Sequence, residues 1–323
     1  MLIDLERSAR KHALTAAVRS IVVFAVFLAA WFFDEDFRPS ISVLYIAAIS
    51  IGLPTLILLV LPIERIADVL VKHFKPEPAT RQFENVATEI SLALVEPVES
   101  IQTYQSRVAN IAMLPCSGRE IVLATSAALE KLSRNELQAL VAAQFAGMRD
   151  RWCRLATKAE LMWWALPWMF PLSLIGFVFD RPAGGVAAFL TLFVSIFAPR
   201  WNEQARDLCA DVAAVQTTFD PSSLAGAMRK LAADAEQAVN VQFGRWYLPT
   251  NPFLVMPRRV QSTTTVSGGG KEQRSWTTAD EVRLELLLRA DRAEAMAQGA
   301  DPREYTGREF SKRWKALGLK QGK

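Results

Sequence analysis

Histidine and cysteine are scarce in this sequence, and their scarcity excludes several kinds of chemistry. The 323 residues include two histidines, His12 and His73, and three cysteines. Histidine is the commonest ligand of catalytic zinc, and it is the usual base beside a nucleophilic serine or cysteine. The cysteines are odd in number, lie far apart and have no C-x-x-C spacing, so neither a disulfide framework nor a thiolate zinc site is expected. This cysteine usage is typical of a reducing compartment.

The charges are nearly balanced, whereas apolar residues are abundant. Lysine and arginine number 37 against 33 aspartates and glutamates, a net charge of +4 that gives no reason to expect a nucleic-acid partner. The chain is 51% hydrophobic and its mean hydropathy is +0.15, which favours a membrane protein.

Two pairs of apolar runs predict helical membrane hairpins. Residues 13–33 and 41–63 are each close to the length that crosses a bilayer, and a short acidic loop joins them. Basic residues flank this pair on both outer sides, so the positive-inside rule places the bulk of the soluble domain on the cytoplasmic side. Residues 161–179 and 184–198 form a second pair with a shorter second run, and the sequence leaves open whether that pair spans. The predicted location is therefore an integral membrane one, in contact with the lipid bilayer.

The remaining sequence predicts a soluble domain that the second hairpin interrupts. Ser133 and Glu136 form a capping box before apolar residues at helical spacing, which predicts a helix as far as Met148. Short apolar-rich runs predict strands, and later segments predict two further helical regions around a glycine-rich loop. The predicted strands are residues 89–95, 108–114 and 120–125, and the later segments are 200–240 with a break at Asp220-Pro221, a flexible loop at 257–276 and a last helix at 279–297.

The predicted fold class is thus α+β, a mostly helical membrane protein with two helical membrane hairpins. The predicted domains are 1–75 (amphipathic segment and first hairpin), 76–158, 159–199 (second hairpin), 200–297 and a basic tail at 298–323.

The order of these parts resembles the HtpX and CAAX prenyl-protease group of integral-membrane zinc metallopeptidases. In that group a hairpin precedes a strand and a His-Glu-x-x-His helix, and a second hairpin precedes a helix with a third ligand in Glu-x-x-Ala-Asp. The stretches that carry the resemblance are Glu120 to Leu132, Ser133 to Ala142, Asp207 to Val215 and Leu224 to Leu231. The resemblance covers most of residues 20 to 290 and implies a zincin-like metallopeptidase core.

The residues that such a peptidase uses are replaced here. The motif helix reads Ala143-Gln144-Phe145-Ala146-Gly147, so Ala143 and Gly147 stand at the histidine positions and Gln144 at the position of the general base. Asp207 stands at the third ligand position. Because alanine and glycine side chains have no donor atom and an amide cannot accept the proton, these degenerate positions predict no catalysis and no zinc cofactor.

Another metal site near the old one is a weak alternative. Asp207, Cys209 and Asp211 are its candidate ligands, but two carboxylates four residues apart with one thiol make a poor tetrahedral set.

The resemblance therefore implies a pseudopeptidase, which binds or regulates a membrane protein or a membrane protease complex without cutting it. The candidate groove for an extended segment is the strand formed by Ile121, Val122, Leu123, Ala124 and Thr125. Two alternatives stay open: an active membrane zinc endopeptidase with an atypical metal site, and a purely structural subunit of a membrane complex. An open cleft around Ala143, Gln144 and Asp207 would favour binding, and a filled one would favour a structural role.

Overall fold

The computed structural model describes residues 76–95, 98–116, 119–149, 153–158, 202–235, 263–266 and 274–302, together with Lys11, Leu14, Thr15, Val18 and Asp68. These residues form helices around a small four-stranded sheet. The strands of that sheet are β1 (Glu77–Pro78), β2 (Ser100–Tyr104), β3 (Ile111–Cys116) and β4 (Arg119–Thr125).

The sheet has the order β1-β2-β4-β3, so β4 is an inner strand. It pairs in parallel with β2, where Ser100 is opposite Ile121, and antiparallel with β3, where Cys116 is opposite Arg119. The apolar run that predicts β4 is buried on both faces, as Ile121, Val122 and Leu123 are at most 1% exposed. A strand that is covered on both faces has apolar residues at consecutive positions, because no side chain points into water. The prediction of a strand at 120–125 is confirmed.

The predicted strand at 89–95 is wrong, because these residues end a helix, α1 (Arg81–Leu94). Thr80 caps it by accepting a hydrogen bond from the Phe83 amide. Phe83, Val86, Ala87 and Ile90 are buried at helical spacing, a period that extends well before residue 89. The predicted strand at 108–114 is shifted, since β3 begins at Ile111 and the preceding residues form a loop.

The capping box is confirmed at the start of α3 (Arg134–Arg149). The Ser133 hydroxyl accepts from the Glu136 amide at 3.4 Å, and the Glu136 carboxylate accepts from the Ser133 amide at 2.7 Å. A short helix, α2 (Ser126–Lys131), connects β4 to this cap. Helix α3 packs against α1 on one side and against β3 of the sheet on another, so it lies at the centre of the described core.

Three helices follow in the later part of the chain. Residues 202–218 are helical and are named α4, and they are followed by α5 (Pro221–Ala233) and α6 (Thr278–Ala297). Asp220 caps α5 by accepting from the Ser223 amide, with Pro221 in the first turn, so the predicted break at Asp220-Pro221 is confirmed. Helix α5 packs against both α6 and α3. Residues 153–158 are also helical.

The prediction of a flexible loop at 257–276 is corrected for residues 263–266 and 274–276, and the other residues of that range lie outside the described ones. Strands β5 (Thr263–Val266) and β6 (Arg274–Thr277) form an antiparallel hairpin, in which Thr263 is opposite Thr277. Threonine, valine and tryptophan favour strands, and in the sequence three glycines stand between the two strands.

The predicted fold class is corrected in its membrane part. Among the described residues, no helix combines the length and the apolar character that crossing a membrane requires. Helix α6, for example, has 20 residues but includes Asp280, Glu281, Arg289 and Arg292. The four apolar runs of the two predicted hairpins lie outside the described residues, apart from Leu14, Thr15 and Val18, and the basic tail after residue 302 does so as well.

Candidate functional site

Helix α3 places the degenerate motif in the protein interior. Ala143 is fully buried, Phe145 is 1% exposed and Gln144 is 8% exposed. The side chains at these three motif positions are therefore covered by other parts of the protein.

Gly147 marks a close approach between α3 and α4. A Cβ atom built on Gly147 would lie 3.5 Å from the Cβ atom of Ala210, which is ordinary van der Waals contact. A methyl group thus fits at position 147, but a longer side chain that points toward α4 would have to displace Ala210. The position that resembles the second histidine of a zinc motif is now a point of helix packing.

Two carboxylates lie one turn apart on α4, and a guanidinium of α6 bridges them. Asp211 is fully buried, and the Arg289 side chain is 3% exposed. Arg289 donates to Asp211 from Nε, at 3.2 Å from each carboxylate oxygen, and from Nη2, at 2.7 Å from Oδ1. Its third nitrogen, Nη1, lies 3.4 Å from Oδ2 of Asp207. One planar cation therefore joins both aspartates to the last described helix.

A second buried arginine completes what we name the Asp–Arg cluster, formed by Asp207, Asp211, Arg206, Arg289 and Arg292. Arg292 donates from Nη1 to Oδ2 of Asp211 at 2.9 Å, and its side chain is 4% exposed. Arg206, on α4 itself, lies 3.7 Å from Asp207. Asp207 is the more accessible aspartate, with 14% of its side chain exposed.

The pKa values of the two α6 guanidinium groups, Arg289 and Arg292, are shifted in opposite directions. Burial works against the charge of Arg289, but Asp207 and Asp211 outweigh it and raise the pKa of Arg289 above its ordinary value. Burial lowers the pKa of Arg292. The negative charge of Asp211 raises that pKa but does not outweigh burial, and the positive charge of Arg289 lowers it further. The contacts agree with this difference, because Arg289 contacts both aspartates with all three nitrogens, whereas Arg292 donates to Asp211 from Nη1.

These residues do not fit the zinc ion that the resemblance implies. A carboxylate ligates a metal through its oxygens, and both oxygens of Asp211 already accept hydrogen bonds from guanidinium groups. Cys209 is 7% exposed and belongs to the apolar core cluster, so it does not extend the set of candidate ligands. Within the described ranges, no three or more histidine, cysteine, aspartate or glutamate residues are grouped as a metal would need.

The candidate groove residues Ile121 to Thr125 form the inner strand β4. Their backbone pairs with β2 on one side and with β3 on the other, so an added strand would first have to displace one of these neighbours. The outer position beside β4 belongs to β3, where Ile111 to Leu114 are at most 1% exposed and Pro115 has no amide hydrogen to donate.

The arginines of the cluster were not among the predicted site residues, although the sequence contains a signal for Arg289. One face of the last predicted helix has the alternating four-and-three spacing of a buried stripe, at positions 282, 286, 289, 293 and 296. Position 289 is the only charged position in that stripe. A charge at such a position requires a buried partner. The sequence does not say which residue that partner is.

Comparison of the chain with family models, curated proteins and solved structures found no match. The interpretation of the site accordingly depends on its own geometry.

Proposed function

We propose that this chain is a pseudopeptidase, a non-catalytic protein that binds or regulates a protein partner. The observation that carries this proposal is the bridging of Asp207 and Asp211 by Arg289. Carboxylates that would have to ligate or orient a metal serve here as counter-ions for a buried guanidinium.

The residue types at the motif positions of α3 also support a non-catalytic function. Hydrolysis at a zinc centre needs imidazole donors and a base that takes a proton from the bound water. Ala143 and Gly147 offer no donor atom, and Gln144 is a neutral amide. An active endopeptidase with an atypical metal site would need Asp207 and Asp211 to exchange Arg289 for the metal, so the geometry disfavours it.

The burial of the motif helix and the inner position of β4 also restrict how a partner binds. Ala143 and Phe145 are buried, and β4 has no open edge. We therefore propose that the partner contacts the outer surface of the domain and does not enter the former cleft. The class of partner that the resemblance implies is a membrane protein or a membrane protease complex.

A structural subunit is the second candidate, and the same closed packing favours it. A regulator that exchanges partners is expected to bind them in variable amounts, whereas a structural subunit is expected to be recovered with its partner in a fixed ratio that persists at high salt. Stoichiometry therefore separates these two functions.

The test is affinity purification of the full-length tagged chain, with and without a chelator, followed by mass determination of the proteins that come with it. We expect intact partner protein, in the same amount in both samples and above the level of a tagged control protein. Partner fragments that disappear with the chelator would identify a peptidase. Recovery of no protein above the control would refute the binding function.

A further inference from the structure

The contact between Arg289 and the two aspartates has the properties of a specific cation site. Asp207 and Asp211 lie on the same face of α4, where two like charges one turn apart repel each other. All three nitrogens of the Arg289 guanidinium contact the aspartates. Nε and Nη2 donate hydrogen bonds to Asp211, and Nη1 lies within ion-pair distance of Asp207. A planar fork matches this arrangement of oxygens, whereas an ammonium ion is a point charge that cannot contact both carboxylates in this way.

We infer that Asp207 and Asp211 form a binding site for a planar guanidinium cation, which the chain fills with its own Arg289. Arg289 acts there as an internal ligand that fastens α6 to α4. Truncating its side chain removes the guanidinium that contacts both carboxylates, while Arg292 stays on Asp211 and Arg206 stays near Asp207. The truncation opens a space of the size of the lost group between the two carboxylates, and a free guanidinium ion then occupies that space. This inference does not depend on the proposed function.

The experiment is thermal unfolding of the full-length Arg289→Ala variant in millimolar guanidinium chloride, far below the molar concentrations that denature proteins. Without guanidinium we expect Tm to fall by roughly 10 °C, because the buried Asp211 loses its hydrogen bonds from Arg289 and keeps only Arg292, and Asp207 loses its nearer cation. With guanidinium we expect a saturable recovery of a large part of that loss. Sodium chloride, urea and tetramethylammonium chloride at the same concentrations should give no recovery.

The matched control is Arg229→Ala. Arg229 also contacts α6, through Glu294 at 2.6 Å, but both side chains are about half exposed. We expect a small loss of Tm and no effect of guanidinium on that variant, because exposed ion pairs contribute little.

Four results would overturn the inference. The first is a destabilised Arg289→Ala chain whose Tm guanidinium does not raise. The others are an Arg289→Ala chain as stable as the wild type, a recovery that sodium chloride produces equally, and a recovery produced by a divalent cation but not by guanidinium. If Arg289→Ala does not accumulate in folded form, refolding from urea is compared in guanidinium chloride and in sodium chloride. A higher yield of folded protein in guanidinium supports the inference, and equal yields contradict it.

Discussion

Arg289 donates hydrogen bonds to Asp211 across 78 residues of sequence, in an interior where neither side chain is more than 3% exposed. Removing one partner of such a pair costs more than the pair itself contributes, because the other charge stays buried without compensation. Asp211 also accepts a hydrogen bond from Arg292, so a single carboxylate contacts two buried arginines and can balance the charge of one of them.

The first prediction compares the two aspartates. We expect Asp211→Asn to lower the free energy of unfolding by about 3 to 5 kcal/mol, as for a broken buried ion pair. Asp207→Asn should cost about 1 kcal/mol or less, because Asp207 is partly exposed and its ion contacts are at 3.4 and 3.7 Å. Urea unfolding of both variants measures the difference. Equal losses would contradict the unequal roles of the two carboxylates.

The second prediction uses the same substitution at two glycines. A Cβ atom at Gly226 on α5 would lie 3.0 Å from Oε1 of Glu136, so Gly226→Ala should destabilise by about 1 kcal/mol. Gly147→Ala should stabilise by up to about 1 kcal/mol, because its Cβ fits against Ala210 and alanine is the better helix former. Thermal unfolding distinguishes the two signs.

A double-mutant cycle serves as the control for this pair. In a Glu136→Ala background, the contact that opposes a methyl group at Gly226 is gone, so Gly226→Ala should no longer destabilise. A loss of the same size in both backgrounds would mean that the close contact with Glu136 is not its cause.

The third prediction concerns pH. Burial raises the pKa of Glu136, but hydrogen bonds from Lys230 and from Ser133 outweigh burial and hold that pKa below its ordinary value. A depressed folded-state pKa stabilises the protein above the unfolded-state value of about 4.3, and this stability is lost as the pH falls through the folded-state pKa. Glu136→Gln keeps the hydrogen-bonding group but loses the charge, so it should cost about 1 kcal/mol or less near neutral pH and progressively less in acid.

The check on Glu136 is urea unfolding of the wild type and Glu136→Gln over a series of pH values. The gap in unfolding free energy should be constant from neutral pH down to pH of about 5 and then narrow. A gap that does not depend on pH would show that the charge of Glu136 contributes nothing to the cap.

The fourth prediction concerns an exposed valine at the end of α1. Val95 has a φ of 55° and is 84% exposed, so a β-branched residue adopts a left-handed conformation that favours glycine. We expect Val95→Gly to stabilise by about 0.5 to 1 kcal/mol. Ala93→Gly, two residues earlier in regular helix, should instead destabilise by about 1 kcal/mol. A loss of stability in both variants, measured by thermal unfolding, would refute the strain at Val95.

The predictions from sequence succeeded where the determining contacts are local. The capping box of Ser133 and Glu136 lies within four residues, and the Asp220-Pro221 break depends on a cap and a proline side by side. The prediction of a strand at residues 89–95 is wrong because the apolar residues of this segment continue a helical period that begins at Phe83 and Val86.

What the sequence could not supply is the pairing of distant elements. The inner position of β4 follows from its parallel pairing with β2, a strand that was not among the predicted ones. The partner of Arg289 lies on another helix, and local periodicity shows only that such a partner is needed. The membrane hairpins were predicted from length and apolar composition, and no described helix has those two properties together.

The most direct test of the central claim is zinc binding by the purified full-length chain, measured by calorimetry and by metal analysis after dialysis. The Asp–Arg cluster predicts no saturable zinc binding, and it predicts the same result for Asp207→Ala as for the wild type. One equivalent of retained zinc that is lost in Asp207→Ala would contradict the account, because it would show that this carboxylate serves a metal and not Arg289.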